Sequence, residues 1–176
     1  IGVLVVAGLY QVLSRETGLW ALGLALIVLT SIDVLRLRYK KLNSFVFKWF
    51  GILLRREEAF RLSGMTQLLV GAMIIVALFP KEVSTLAFLF LAFGDPIASA
   101  VGVTYGKDKI LPNKSLQGSI AAFVTCMILS AVYFSLTGLL SERIVLASLL
   151  GGLIGALAEL SSFGKLDDNF TLPVFS

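Results

Sequence analysis

Histidine is absent from this 176-residue sequence. Imidazole chemistry is therefore excluded, and a general base has to be a carboxylate, a lysine, a tyrosine or water. Cysteine occurs once, at Cys126 inside an apolar run, which rules out a disulfide framework and a thiolate metal site. Charge is scarce too. Only 15% of residues are Asp, Glu, Lys or Arg, 57% are hydrophobic, and the mean hydropathy is +0.93. Water-soluble domains carry about 25% charged and about 45–50% apolar residues, so this is not the composition of one.

Long apolar stretches stand in place of the missing charge. Runs at Ile1–Leu13, Leu19–Leu35, Gly64–Phe79, Val83–Val103, Gln117–Gly138 and Ile144–Leu160 include several that approach the roughly 20 residues a helix needs to cross a hydrocarbon core. The expected fold is all-α, a polytopic transmembrane bundle of about six to seven spans, forming a single integral-membrane domain over residues 1–176. The sequence starts at Ile1 inside an apolar run and stops at "TLPVFS" as another begins, so truncated ends and a seventh span beyond them are expected.

The few basic residues are not scattered. Eight fall between Arg36 and Arg61, three between Lys107 and Lys114, and Lys165 follows the last run. The alternate connections hold only Arg15, Lys81 and Arg143. The positive-inside bias puts the richer side in the cytoplasm, giving a multi-pass membrane protein whose 36–63, 107–114 and 165–169 connections are cytoplasmic. The net charge of +4 is then a topology signal, and nucleic acid is not needed to explain it. Within 36–63, Leu42, Phe45, Val46, Trp49, Phe50 and Leu53 recur at helical spacing, with Lys41, Lys48 and Arg55 off the stripe. This spacing predicts an amphipathic helix in the membrane interface, anchoring to anionic lipid or gating lipid access.

Asp95 is the only charged residue between Glu82 and Lys107. A carboxylate in a span costs about 2.5–3.5 kcal/mol on insertion and so faces protein or water and has a job. Pro96 disfavours helix at the residue before it, and Asp is a good N-cap. The expectation is a broken helix at Gly94-Asp95-Pro96, with a new helix starting at Pro96 whose free N–H groups could hold phosphate. Gly94, Ala98, Gly102 and Gly106 recur every four residues for close helix packing, and Ser99 lies one turn beyond Asp95 on the same face. Glu159 ends the last run, followed by "KLDDNFTLP" with Asp167, Asp168 and Asn169. These oxygen ligands suit Mg²⁺, and the nearby Lys107, Lys109 and Lys114 suit phosphate, together describing a metal–nucleotide site at the cytoplasmic face. "GVTYGK" is one residue short of a P-loop and has no Ser or Thr after its lysine. "GGLIG" at Gly151–Gly155 reads as helix packing. The glycine rows serve a contact within the chain or between chains.

Four ordered stretches, "RLSGMTQLLVG" from Arg61, "FGDPIASAVGVTYGK" from Phe93, "NKSLQGSIAAF" from Asn113 and "AELSSFGKLDDNFTLP" from Ala158, resemble the CTP-dependent lipid-alcohol kinases: dolichol kinase, phytol kinase and CTP-dependent diacylglycerol kinase. The resemblance implies phosphoryl transfer from CTP to the hydroxyl of a membrane lipid with a divalent metal. It implies that Gly94, Asp95 and Pro96 match the family's Gly-Asp-Pro/Thr turn, and that Lys114, Ser115, Leu116, Gly118 and Ser119 match its Lys-Ser-Leu-Glu-Gly-Ser run. Glu159, Asp167, Asp168, Asn169, Thr171 and Pro173 match its last motif, and Glu58 and Gly64 the segment opening the third span. Gln117 stands where the family usually has Glu, Val103 and Thr104 replace a common basic pair, and Gln67 replaces a common aromatic. On this reading Lys107, Lys109, Lys114, Ser115, Gly118 and Ser99 bind CTP. Asp167, Asp168, Asn169, Glu159 and Asp95 are the metal candidates, and Asp95 and Lys114 the catalytic pair. Two other readings use the same residues: a cytidylyltransferase making a CDP-lipid, and a small ion-coupled transporter built on the broken helix.

Overall fold

The computed structural model describes residues 2–51, 56–111 and 114–161. The chain runs through helices α1 (Gly2–Val12), α2 (Arg15–Arg38) and α3 (Lys40–Phe50), a 3₁₀ turn (Arg56–Ala59), then α4 (Gly64–Leu78) and α5 (Lys81–Leu89). A π-turn (Phe90–Gly94) leads into α6 (Asp95–Tyr105). A two-stranded antiparallel hairpin, β1 (Lys109–Leu111) with β2 (Lys114–Ser115), precedes α7 (Leu116–Thr137) and α8 (Ile144–Ser161). Four helical stretches, Arg15–Arg38, Lys81–Tyr105, Leu116–Thr137 and Ser141–Ser161, are long and apolar enough to cross a membrane, and α1 and α4 are shorter apolar helices. The six apolar runs thus become six apolar helical segments of an all-α membrane bundle, the hairpin being the one non-helical addition among the described residues.

Serine marks the starts of three helices. Ser14 accepts from Thr17 N at 3.3 Å, Ser63 from Thr66 N at 3.3 Å and Ser115 from Gly118 N at 3.2 Å, each satisfying an orphan donor of the first turn. Cations mark two helix ends. Arg15 donates to the Val76 and Ala77 carbonyls at the end of α4 (3.1 and 2.6 Å), and Lys81 to the Gln11 and Leu13 carbonyls at the end of α1 (2.9 and 3.3 Å). Positive charge is favourable at such termini. These contacts bring the ends of α1 and α4 and the starts of α2 and α5 together at one pole. By alternate crossing, the hairpin, the end of α2, the start of α4 and the end of α8 share the opposite pole.

One core cluster, with Tyr10, Leu22, Leu69, Ala72, Val76 and Phe88, ties α1, α2, α4 and α5 together; Leu68, Leu91 and Ala158 tie α4, the π-turn and α8. Elsewhere the packing runs on small residues. A Cβ at Gly94 would meet Cys126 Sγ at 2.9 Å, and one at Gly152 would meet the Phe123 carbonyl at 2.8 Å. Gly151 and Gly155 lie similarly tight against Ser130 and Cys126. The glycines let α8 and the π-turn approach α7 closely, as the "GGLIG" reading expects.

The helix at Asp95 corrects an expectation. It is not broken: Gly94 (φ −61°, ψ −53°) and Asp95 (φ −63°, ψ −50°) are both helical, and the Asp95 N–H donates to the Phe90 carbonyl, one residue further back than in an α-helix. Pro96 has no N–H to give to the ladder. The chain absorbs that loss in a π-turn, held by buried Phe90 and Leu91 and by the Gly94–Cys126 contact. Asp95 is therefore not an N-cap, and no free helix start opens at Pro96. The interruption on which the transporter reading depended is absent.

The amphipathic expectation is met in α3. Phe45 and Trp49 are exposed, Trp49 at 67%, while Leu42, Asn43, Val46 and Phe47 are half-buried against the protein. Leu53 lies outside the described residues. The end of α2, counted with the basic connection above, is partly internal: Arg36 is 1% exposed. Its Nε donates to Asp33 Oδ1 at 2.7 Å, Nη1 to the Glu58 carbonyl at 2.7 Å and Nη2 to the Arg61 carbonyl at 2.9 Å. Asp33 Oδ2 accepts from Ser63 N, Ser63 Oγ and Thr66 Oγ1 at 2.8, 2.9 and 2.7 Å. Asn43 donates to the Ala59 carbonyl at 2.9 Å, so α3 hangs from the same assembly.

Candidate active site

A cleft of about 380 Å³ opens at the hairpin pole between α6 and the start of α7. One wall is the α6 face carrying Ala98, Ser99, Gly102 and Val103, continued by Gly106. The other is Lys114, Ser115 and Gly118, with Lys109 and Glu159 at the margin. Glycine sets how near the walls come. A Cβ at Gly106 would meet Ser115 Oγ at 2.7 Å and Ser115 Cβ at 2.8 Å, and one at Gly118 would meet the Ala98 carbonyl at 3.0 Å. The four-residue row of small residues in α6 thus brings the Ser115-capped start of a 22-residue helix to the edge of the cleft. A helix N-terminus presents N–H groups and a positive dipole end.

Charge around the cleft is mostly basic. Lys109 is exposed, and Lys114 Nζ donates to Glu159 Oε1 at 2.8 Å, with side chains 14% and 6% exposed. The hairpin seats these lysines. Lys109 pairs with Ser115 across the strands, and the Leu116 N–H donates to the Asp108 carbonyl at 2.8 Å. Gln117 fastens the strand entry to α7. Its Oε1 accepts from the Lys107 and Asp108 N–H groups at 3.2 and 3.3 Å, and its Nε2 donates to Asp108 Oδ2 at 2.8 Å.

The structure gathers Ser99, Lys109, Lys114, Ser115, Gly118 and Glu159 into this one cleft. Lys107 is exposed on the hairpin approach, with its backbone held by Gln117. Asp95 is half-buried one turn before Ser99 on α6. Asp167, Asp168 and Asn169 lie outside the described residues, and among the described residues no group of three acidic, His or Cys side chains could hold a metal. The helix start beside the cleft is that of α7, where Pro96 had been expected to provide one. Its signal was Ser115, an N-cap residue type directly before an apolar run. The Gln117–Asp108 contact had no such signal.

Fold and site together define a class: an integral-membrane helical bundle with a basic, glycine-walled cleft at one pole. The chain is 30% identical over 94% of its length to CTP-dependent diacylglycerol kinase 1 of Saccharomyces cerevisiae, covering 64% of that protein. It is 34% identical over 82% of its length to the protein of the same name from Eremothecium gossypii, covering 52% of it. To the one from Schizosaccharomyces pombe it is 33% identical over 82% of its length, covering 71%. No family model and no solved structure matches the chain. The chain belongs to the CTP-dependent lipid kinase family. It spans less than two thirds of the first two of these relatives.

Proposed function

We propose that the chain transfers the γ-phosphoryl group of CTP to the hydroxyl of a membrane lipid alcohol, with diacylglycerol as the substrate class, at the cytoplasmic face. The observation that carries this reading is the cleft, where Lys109, Lys114 and the Ser115-capped start of α7 converge beside Glu159. The names of the three relatives support CTP and diacylglycerol over a polyprenol or phytol. The twelve-to-three split of Lys and Arg between alternate connections of the sequence supports the cytoplasmic side.

In this reading the bond between the γ-phosphorus and its bridging oxygen breaks, CDP leaves, and the lipid oxygen takes the phosphoryl group. Positioning and charge neutralisation carry such a transfer. Lys114, Lys109 and Lys107 neutralise phosphate oxygens, Ser115, Gly118 and Ser99 line the nucleotide, and Asp95 orients the lipid hydroxyl or takes its proton. Glu159 is a buried carboxylate at the cleft, which fits a cation that binds through one or two carboxylates plus substrate phosphates. Asp95, Asp167, Asp168 and Asn169 would be its further oxygen ligands, and Mg²⁺ bound there would offset phosphate charge.

The test is to incubate the purified chain with Mg²⁺, γ-labelled CTP and diacylglycerol, phytol, geranylgeraniol or a polyprenol, and to follow label into the organic phase. Label in diacylglycerol with CDP released is expected, and EDTA should abolish it. Pyrophosphate released on supplying a lipid phosphate would replace the kinase by a cytidylyltransferase.

A further inference from the structure

The hairpin that seats Lys109 and Lys114 has little to hold it. Its strands are three and two residues long with a register shift between Lys109 and Leu111. Its entry is tied to the start of α7 by the Leu116 N–H on the Asp108 carbonyl at 2.8 Å and by the side chain of Gln117, the second residue of α7. The amide there has only one workable orientation. Its oxygen faces two N–H donors, so its nitrogen faces Asp108 Oδ2, and both ends are matched. A carboxylate of the same shape could accept the two N–H bonds, but its other oxygen would stand about 2.8 Å from Asp108 Oδ2 with no proton between them. Gln117 and Asp108 are therefore a matched pair.

We propose that Gln117 is a positioning residue: through the Lys107 and Asp108 amides and the Asp108 carboxylate it fixes the strand that presents Lys109 to a triphosphate in the cleft. The proposal rests on the nucleotide reading of the cleft. It also gives the residue at 117, which departs from the usual glutamate of the resembled family, a function of its own, set by the aspartate at 108.

The test is a cycle of Gln117→Glu, Asp108→Asn and the double variant, in nanodiscs. Two quantities are read: hydrogen exchange of the Lys107 and Asp108 amides, and affinity for CTP and for inorganic triphosphate. Gln117→Glu should speed exchange at both amides and weaken triphosphate binding about tenfold, the scale of one charge-assisted hydrogen bond. KM for CTP should rise with kcat within about twofold. The double variant restores a donor facing an acceptor, so exchange and affinity should return to within about threefold of the parent. Unchanged exchange and affinity in Gln117→Glu, or a double variant no better than that single change, overturns the proposal. If the parent phosphorylates no lipid yet triphosphate affinity and exchange still follow the cycle, the clamp stands and the kinase reading falls.

Discussion

Two polar clusters sit at the same pole, and they are built differently. In the first, Asp33 and Arg36 are buried, both carboxylate oxygens and all three guanidinium nitrogens have partners, and Arg36 lies 5.9 Å from the Phe47 ring. In the second, Lys114 and Glu159 meet on the wall of a cleft of about 380 Å³, with Lys109 exposed beside them. The Asp33 and Arg36 side chains, already partnered, fix backbone. Beside them Glu58 Oε1 accepts from the Gly64 N–H at 3.1 Å, while its Oε2 is buried without a hydrogen-bond partner among the described residues. A lysine–glutamate pair on an open wall can exchange partners when an anion arrives. Residue type alone does not separate these two clusters; opening onto the cleft does.

The sharpest way to break this comparison is a change that removes chemistry and leaves the fold. Asp95→Asn keeps the side-chain shape, and lipid phosphorylation should fall to background while the thermal transition in detergent stays put; near-normal turnover removes Asp95 from the mechanism. The reverse change is Arg36→Met, which leaves Asp33 buried without its cation and should cost about 3–5 kcal/mol. Denaturant titration reads that loss, and KM for CTP in the fraction that stays folded should be unaltered. A variant at the boundary is Gly106→Ala, whose methyl would press on the Gly102 carbonyl of its own helix and meet Ser115 at 2.7–2.8 Å. About 1–3 kcal/mol of overpacking is expected, together with a raised KM for CTP, because the end of α6 and the hairpin must both shift. The smallest effect belongs to the far pole. Lys81→Met gives up a helix-end cation worth about 0.3–1 kcal/mol and should lower the thermal transition slightly with no change in activity.

How much of this could be read in advance follows the same division. The helical segments were legible because apolar run length alone sets them, the run from Gln117 beginning one residue inside α7. The basic cleft was half legible: Lys109, Lys114 and Glu159 were named, but the 2.8 Å pair between positions 45 residues apart was not. Arg36 looked like one more surface cation, since a composition count cannot show that four segments of chain converge on a guanidinium. The helix at Asp95 was misread because local preference before a proline favours a break. Packing of Phe90, Leu91 and Gly94 outweighed it.

That π-turn sets a phase. Each residue of an α-helix advances the chain by about 100° around its axis, and the Phe90–Gly94 turn holds one residue more than an α-turn would. Wind the same residues as α-helix and everything after them swings by about that angle. Asp95 and Ser99 would leave their bearing, and Gly102 and Gly106 would turn away from Ser115 while side chains with a Cβ rotated into their place. The cleft is thus timed by a single residue of excess backbone a full span-half upstream, and α5 and α6 act as one shaft keyed at that point.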